Sequence, residues 1–214
     1  MNSGKSTARP DNPDKAQQIL AGALEVFTTQ GYAAASMTRI AAAAGVSKPT
    51  LYSYFDDKAG LFIALLQRLM HKSGRVLFEA PEGPDPSLPP DQMLRQMMTS
   101  LLRESSQNQQ FLTLMRLIIG ESEQFPELAQ TFVRELSKPM LEKLARYIAT
   151  HPQLNFPDPM VTARMIAGSM VYYLITQEIM QGKEIVPMAP ERMVEGVIQL
   201  IMAAGCRENL PANG

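Results

Sequence analysis

Hydrophobic residues recur with a helical period along nearly the whole chain, and no stretch alternates polar and apolar residues as a β-strand would. The spacing predicts an all-α fold of about nine helices. We expect these helices at about 13–30, 37–44, 48–54, 57–79, 91–107, 109–120, 126–149, 159–181 and 190–205. Prolines interrupt the pattern between several of them, most densely in APEGPDPSLPP at 80–90.

The second and third predicted helices are short and are separated by a turn at Gly45. Isolated helices of fewer than about 12–15 residues are marginal in water, so both must pack on their neighbours. The four alanines at 41–44 permit a close approach to those neighbours. The sequence therefore predicts a helix-turn-helix supported by the first and fourth helices.

The third helix turns Leu51 and Phe55 inward, which leaves a polar outer face. That face carries Ser47, Lys48, Pro49, Thr50, Tyr52, Ser53 and Tyr54. Hydroxyl and ammonium groups bind phosphate oxygens, and lysine and threonine also contact base edges. A helix, a glycine and a second helix of this length also occur as ordinary packing in helical bundles. The spacing thus leaves DNA binding and plain packing as alternatives.

The charge distribution adds weak support for DNA binding. The formal net charge of −1 is unlike that of a general nucleic-acid binder, and 45% apolar with 19% charged residues excludes a disordered polyelectrolyte. However, no carboxylate lies between Glu25 and Asp56, where Arg39 and Lys48 are found. A surface that approaches phosphates has this character.

The stretch ILAGALEVFTTQGYAAASMTRIAAAAGVSKPTLYSYFDDKAGLF (19–62) closely resembles the DNA-binding region of TetR-family transcriptional repressors. Within it, GVSKPTLYSYFDDK is similar to the family's recognition helix and the start of its fourth helix. The resemblance implies base contacts by Lys48, Pro49 and Thr50. It implies backbone contacts by Ser36, Thr38, Arg39, Tyr52, Tyr54 and Lys58, with a base contact or a merely exposed charge as alternatives for Arg39. Ser47 is a candidate DNA contact because its hydroxyl lies on the outer face of the third helix.

The resemblance also implies a larger C-terminal half that binds a small ligand and forms a homodimer. The predicted organisation is a flexible arm at 1–12, a helix-turn-helix domain at 13–58, the fourth helix as connector, an effector and dimerisation domain at 80–206, and a flexible tail at 207–214. Such a protein binds a palindromic operator as a dimer, since two recognition helices reach successive major-groove faces.

The last two helices independently suggest a dimer. Residues 160–180 carry only Arg164 and Glu178 as charges, and a helix that is apolar on all sides must be buried on all sides. Two such helices from each chain would form a four-helix interface with two-fold symmetry. The predicted interface residues are Ile166, Met170, Ile179, Val194, Val197, Ile198 and Ile201. A monomer that uses these faces for its own core is the alternative.

The effector is predicted only in outline. Fifteen methionines suit an adaptable pocket for a small apolar compound, although methionine at helical spacing more often belongs to a core. The candidate pocket residues are Phe111, Met115, Phe132, Met170, Tyr172 and Tyr173.

Other chemistry has little support in the sequence. His71 and His151 are far apart without nearby cysteines, so we expect no metal site, and no catalytic grouping or cofactor motif is present. A lone Cys206, the absence of a signal peptide and the absence of a membrane-length apolar stretch predict a cytoplasmic protein; a redox role of Cys206 stays open. We therefore predict a ligand-released DNA-binding repressor, with an activator on the same scaffold or a small helical enzyme as alternatives.

Overall fold

The computed structural model of the protein describes residues 13–71 and 88–205, apart from the side chains of residues 70 and 71. Within these residues the fold is all-α, with nine continuous helical segments, as the periodicity predicts. The predicted arm at 1–12, the end of the fourth helix and most of the proline-rich segment at 72–87, Cys206 and the tail at 207–214 lie outside the described residues.

The first four helices follow the predicted bounds closely. They are α1 (Pro13–Ala34), α2 (Met37–Ala43), α3 (Lys48–Tyr54) and α4 (Lys58–His71). Gly31, the predicted end of the first helix, has φ of 78° inside α1 and breaks its regular backbone. Gly45, in the turn between α2 and α3, has φ of 61°. Both glycines adopt the left-handed region that side chains disfavour, which explains why glycine is used there.

The remaining helices also lie close to the predicted positions. They are α5 (Pro90–Gln107), α6 (Gln109–Glu121), α7 (Pro126–Phe132), α8 (Lys138–Thr150), α9 (Pro159–Tyr173) and α10 (Pro190–Gly205). A π-helical turn (Val133–Ser137) joins α7 to α8 into one segment, and a second one (Leu174–Ile179) extends α9. Each π-helical turn locally changes which side chains face inward.

The chain forms two compact units, and neither is a single stretch of sequence. Among the described residues, the first contains 13–67 together with Thr113–Phe132, and the second contains 68–71, 88–112 and 133–205. The end of α6 and all of α7 thus belong with the helix-turn-helix. The predicted division at residues 58 and 80 does not anticipate this exchange.

The core of the first unit combines aliphatic residues with a cluster of aromatic side chains. The rings of Phe27, Tyr32 and Phe62 lie with centroids 4.8–5.8 Å apart, and the ring of Phe125, which precedes α7, lies 5.2 Å from that of Tyr32. Leu51 of α3 is fully buried. Large rings in edge-to-face contact give a rigid base for short helices.

The core of the second unit is aliphatic and rich in methionine. It includes Met93, Leu94, Met97, Met98, Leu102, Leu144, Ile148, Ile166, Met170, Val194, Ile198 and Ile201. Several methionines, among them the predicted pocket residue Met170, therefore belong to the core, as methionine at helical spacing usually does.

Candidate functional site

Both short helices of the first unit begin with a serine cap. The Ser36 hydroxyl accepts a hydrogen bond from the Arg39 N–H at 3.3 Å, and the Ser47 hydroxyl accepts one from the Thr50 N–H at 3.1 Å. The Ser47 and Thr50 hydroxyls also lie 2.7 Å apart. These bonds fix the start of each helix, because a capping side chain satisfies an N–H that otherwise has no partner.

The outer face of α3 is open to solvent. Ser47, Lys48 and Pro49 are exposed and Thr50 is half-buried, while Tyr52 is 43% exposed. The Lys48 ammonium lies 5.8 Å from the centre of the Tyr52 ring and makes no hydrogen bond or ion pair with any described residue. The helix therefore presents a cation, hydroxyls and a phenol side by side, over a core that holds Leu51 rigidly.

Two of the predicted contacts next to α2 differ in their availability. Thr38 is exposed, and its hydroxyl has no hydrogen bond within the described part of the chain. The Arg39 guanidinium, in contrast, donates to the Gln30 side chain at 2.9 Å and to the Ala34 carbonyl at 3.0 Å. Arg39 thus ties α2 to the end of α1, an arrangement that neither alternative for this residue included.

Lys58 is also held inside the first unit. Its ammonium donates to the carbonyls of Tyr32 at 2.8 Å and Ala35 at 3.1 Å. It lies 4.2 Å from the centre of the Tyr32 ring and 5.2 Å from that of Phe125. Burial lowers the pKa of Lys58, and the carboxylates of Glu127 and Glu121 oppose this shift. This placement argues against the phosphate contact that the resemblance implies.

Two residues that position α2 were not singled out from the sequence. The side-chain amide of Gln18 donates to the Ala44 carbonyl at 2.6 Å. Gly22 packs so closely against Ala44 that an added Cβ would lie 2.6–2.8 Å from its backbone nitrogen, Cα and Cβ. The alanine run at 41–44 hinted at a close approach but did not identify the partner on α1.

The structure corrects the predicted dimer interface. Five of its seven residues are buried in the core of the second unit: Ile166, Met170, Val194, Ile198 and Ile201. Val197 and Ile179 are half-buried. Helices α9 and α10 are apolar on more than one face, and the sequence alone did not show which face the chain covers by itself.

The uncovered side of α9 and α10 is apolar as well. Val161, Met165 and Tyr172 recur along one side of α9 and are 50%, 63% and 67% exposed. On α10, Leu200 is 73% exposed, and Gly196 and two alanines at 203–204 are also exposed. We call these positions the outer apolar face. Exposed apolar patches of this kind mark interaction surfaces.

The second unit also contains a cavity of about 620 Å³. Its walls come from α5, the π-helical turn after α9, the segment 183–190 and the start of α10. The lining residues are Thr99, Arg103, Ser106, Gln107, Tyr173, Gln177, Glu178, Lys183, Pro187, Met188, Ala189, Pro190, Glu191 and Val194. This volume lies in the range of sites for drug-sized ligands.

Of the six predicted pocket residues, Tyr173 alone lines this cavity. Phe111 is buried, Met170 belongs to the core, Met115 and Phe132 are half-buried, and Tyr172 is exposed on the outer apolar face. The prediction favoured apolar side chains, and the surface of this cavity is indeed mostly apolar, but it comes from other residues and carries several polar side chains. In the sequence, this cavity was indicated by polar residues at positions 99, 103, 106 and 107, which share one face of a helix.

The remaining polar groups do not form a metal or membrane site among the described residues. The described residues contain no cluster of three or more potential metal ligands. None of the described helices combines the length and apolar character needed to cross a bilayer. The buried His151 contacts the Leu88 carbonyl through Nε2 at 3.1 Å and accepts a hydrogen bond at Nδ1 from the Gln153 N–H at 3.2 Å. Both ring nitrogens of this histidine therefore have structural partners.

Comparison with known protein families agrees with this architecture. Residues 19–65 match the model described as bacterial regulatory proteins of the TetR family, and residues 92–205 match that described as the C-terminal domain of AefR-like transcriptional repressors. Together the two matches cover the helix-turn-helix and nearly all of the second unit.

Three individual proteins illustrate the similarity. The transcriptional activator FasR of Mycolicibacterium smegmatis is 55% identical over 51 residues, which are 24% of this chain and 23% of FasR. The flavonoid-responsive regulator FrrA is similar in structure, with a TM-score of 0.71, 28% identity and coverage of 92% of this chain and 100% of FrrA. The regulator FadR of Bacillus subtilis, solved with stearoyl-CoA, shares the fold with a TM-score of 0.63, 20% identity and coverage of 87% and 97%.

Proposed function

This chain belongs to the TetR family of bacterial DNA-binding transcriptional regulators, and we propose that it is a homodimeric repressor released from a palindromic operator by a small molecule. The family and these relatives are regulators and not enzymes, so the enzyme alternative is dropped. The observation that carries the proposal is the exposed polar face of α3, fixed on a rigid aromatic core.

The α3 face supports direct reading of DNA. Lys48 is exposed and has no partner among the described residues, so its ammonium is available to guanine acceptors or a phosphate. The Thr50 methyl group suits a thymine methyl, and the phenols of Tyr52 and Tyr54 suit phosphate oxygens. Ser36 and Ser47 act first as helix caps, so their contribution to DNA binding is positional.

The outer apolar face supports a homodimer. A single recognition helix reads only a few base pairs, whereas two helices related by a two-fold axis read half-sites about 34–36 Å apart. The outer apolar face lies on two helices, so its two-fold copy would complete a four-helix interface. This keeps the predicted dimer but moves its contacts to Val161, Met165, Tyr172 and Leu200.

The C-terminal match supports a repressor rather than an activator. The AefR-like repressor model spans 92–205, more than half of the chain. The similarity to the activator FasR, in contrast, covers about a quarter of this chain. The position of the operator relative to the promoter separates the two outcomes. Repressors and activators of this kind both act on DNA in the cytoplasm, where we place this protein.

A small molecule bound in the second unit would release the DNA. The name of the flavonoid-responsive regulator FrrA, similar over nearly the whole chain, supports such an effector. Helix α4 belongs to the first unit up to Gln67 and to the second unit from Arg68 onward. A tilt of α4 is therefore the proposed link between ligand binding and release of the DNA. A coupling free energy of about 1–3 kcal/mol changes affinity about 5–150-fold, enough to alter operator occupancy.

Selection of bound duplexes from a random DNA pool tests the proposal. We expect the enriched sequences to share an inverted repeat whose half-sites are about one helical turn apart. In parallel, a Thr50→Ala variant should relax the preference at individual base pairs of each half-site. A pool without an inverted repeat would refute the palindromic operator, and binding of no duplex at moderate salt would refute the function altogether.

A further inference from the structure

We propose that the cavity in the second unit binds a hydroxylated aromatic acid, whose carboxylate pairs with Arg103 and whose ring packs against the segment 187–190. That this ligand is also the effector rests on the function proposed above. The chemistry of the ligand rests on the residues of the cavity alone.

The wall from α5 supplies an available cation. Thr99, Arg103, Ser106 and Gln107 lie at positions i, i+4, i+7 and i+8, so they share one face of the helix. Arg103, an exposed residue that lines the cavity, makes no hydrogen bond or ion pair with a described residue. Because a guanidinium binds a carboxylate through two parallel hydrogen bonds, this wall favours an acidic group on the ligand.

The opposite wall is the π-helical turn, tied to the segment that follows it. The Gln177 side chain, only 3% exposed, donates to the Val186 carbonyl at 2.8 Å. Glu178 forms an ion pair with Lys183 at 2.8 Å, so these two charges compensate each other. Of the four charged groups in the cavity, Arg103 and Glu191 are then left for a ligand.

Hydrogen-bond donors and acceptors at this end favour a hydroxyl group. Burial, with the carboxylates of Glu178 and Glu191, raises the pKa of Tyr173, so its phenol stays protonated and donates. Glu191, at the start of α10, accepts a hydrogen bond from a ligand hydroxyl. A ligand hydroxyl both donates and accepts, and it therefore satisfies both residues.

The third wall is apolar. Its residues are Pro187, Met188, Ala189, Pro190 and Val194. A methionine thioether makes favourable contacts with an aromatic ring, and the prolines add apolar surface for the ring to cover. A plain aliphatic chain would bury the same apolar wall but offer no partner to the Tyr173 phenol or the Glu191 carboxylate. A buried hydroxyl such as that of Tyr173, left without a partner, costs about 1–3 kcal/mol, which disfavours a fatty acid.

Calorimetric titration of the full chain without DNA tests this inference. The probes are 4-hydroxybenzoate, 4-hydroxycinnamate and 3,4-dihydroxycinnamate, with decanoate as an aliphatic acid of equal charge. We expect at least one hydroxylated aromatic acid to bind about tenfold or more tightly than decanoate, the difference that a single unsatisfied polar group would produce.

Variants locate the binding site. Arg103→Gln should weaken the best probe about tenfold or more, because a charge-assisted hydrogen bond is lost. Arg146→Gln is the matched control, since Arg146 is an exposed arginine of α8 outside the cavity, and it should leave the affinity unchanged. Binding by none of the aromatic acids, equal or tighter binding of decanoate, or an unchanged affinity in Arg103→Gln would each overturn the inference.

The outcome is separable from that of the proposed function. A probe that binds through Arg103 but leaves operator affinity unchanged would refute its role as effector and keep the ligand chemistry. Release of the operator by another compound, with no binding of the aromatic acids, would refute the ligand chemistry and keep the effector-released repressor.

Discussion

Three cations of the first unit, all predicted from the sequence to contact DNA, have different roles in the structure. Lys48 is exposed on α3, whereas Arg39 is bonded to Gln30 and the Ala34 carbonyl. The Lys58 ammonium lies next to two aromatic rings and donates to two carbonyls of buried residues. Formal charge along a sequence therefore does not show which side chains remain available to DNA.

The difference between Lys48 and Lys58 can be measured through the salt dependence of operator binding. A lysine that neutralises a phosphate contributes about 1 to the slope of log K against log salt concentration. We expect Lys58→Met to leave the slope unchanged and to lower the free energy of unfolding by about 1–3 kcal/mol, since two buried carbonyls lose their donor. Binding isotherms at several salt concentrations and chemical denaturation give the two quantities.

Lys48→Met is the matched comparison for Lys58→Met. It should reduce the slope by about 1 if Lys48 contacts a phosphate, and it should leave stability nearly unchanged because Lys48 is exposed. If Lys58→Met instead lowered the slope by about 1 without loss of stability, Lys58 would be a phosphate contact, as the family resemblance implies.

At the level of helices, the approach of α1 and α2 is set by a residue without a side chain. Gly22 leaves no room for a Cβ against the backbone of Ala44, and backbone atoms cannot move aside as a flexible side chain does. This contact keeps the helix-turn-helix compact, because α2 is too short to be stable by itself.

Gly22→Ala should lower the free energy of unfolding by about 1–3 kcal/mol, the usual cost of overpacking a core. Gly120→Ala provides the control in the same unit: no atom lies within 4 Å of its added Cβ, and the position is exposed in α6. That change should raise stability by about 0.4–1 kcal/mol. Denaturant unfolding followed by circular dichroism measures both, and equal effects of the two substitutions would contradict the packing argument.

Helix positions were predictable because they depend on local pattern. Capping serines, Gly31, Gly45 and the prolines at the start of α5, α7 and α10 mark ends that the sequence indicates directly. The orientation of an evenly apolar helix was not predictable in the same way. In α9 the inward residue Ile166 and the outward residue Met165 are both apolar, and only the packing of the whole chain distinguishes them.

The cavity was not predicted because its lining joins distant parts of the chain. Arg103 and Glu191 are almost ninety positions apart. Gln177 and Glu178 face inward within a π-helical turn, which an ideal 3.6-residue period does not anticipate. The sequence carried the polar stripe on α5, but polar residues on a helix usually face solvent, and nothing local showed that this stripe bounds a cavity.

For the molecule as a whole, the proposed function requires two chains on one operator. The exposed face of α3 and the outer apolar face lie in different compact units. In the proposed dimer, pairing through the outer apolar face would bring two copies of α3 to one operator. The operator then has to keep its half-sites at a matching distance and on the same side of the duplex.

The most direct test changes that spacing in the selected operator. An insertion of about five base pairs between the half-sites, half of the ~10–10.5 bp helical turn, rotates one half-site to the opposite side of the duplex. Leu200→Asp, which places a charge on the outer apolar face, and Ile185→Asp, at a highly exposed apolar residue elsewhere, serve as test and control variants for dimerisation.

Fluorescence anisotropy titration of the intact and the lengthened operator, with stoichiometry from sedimentation, is the decisive measurement. We expect two chains per intact operator. The insertion should lower the affinity about 100-fold or more, because only one half-site can then be bound specifically. The Leu200→Asp variant should show the weak affinity on both duplexes, and Ile185→Asp should behave as the unmodified protein. One chain per operator, or equal affinity for the two duplexes, would contradict the account.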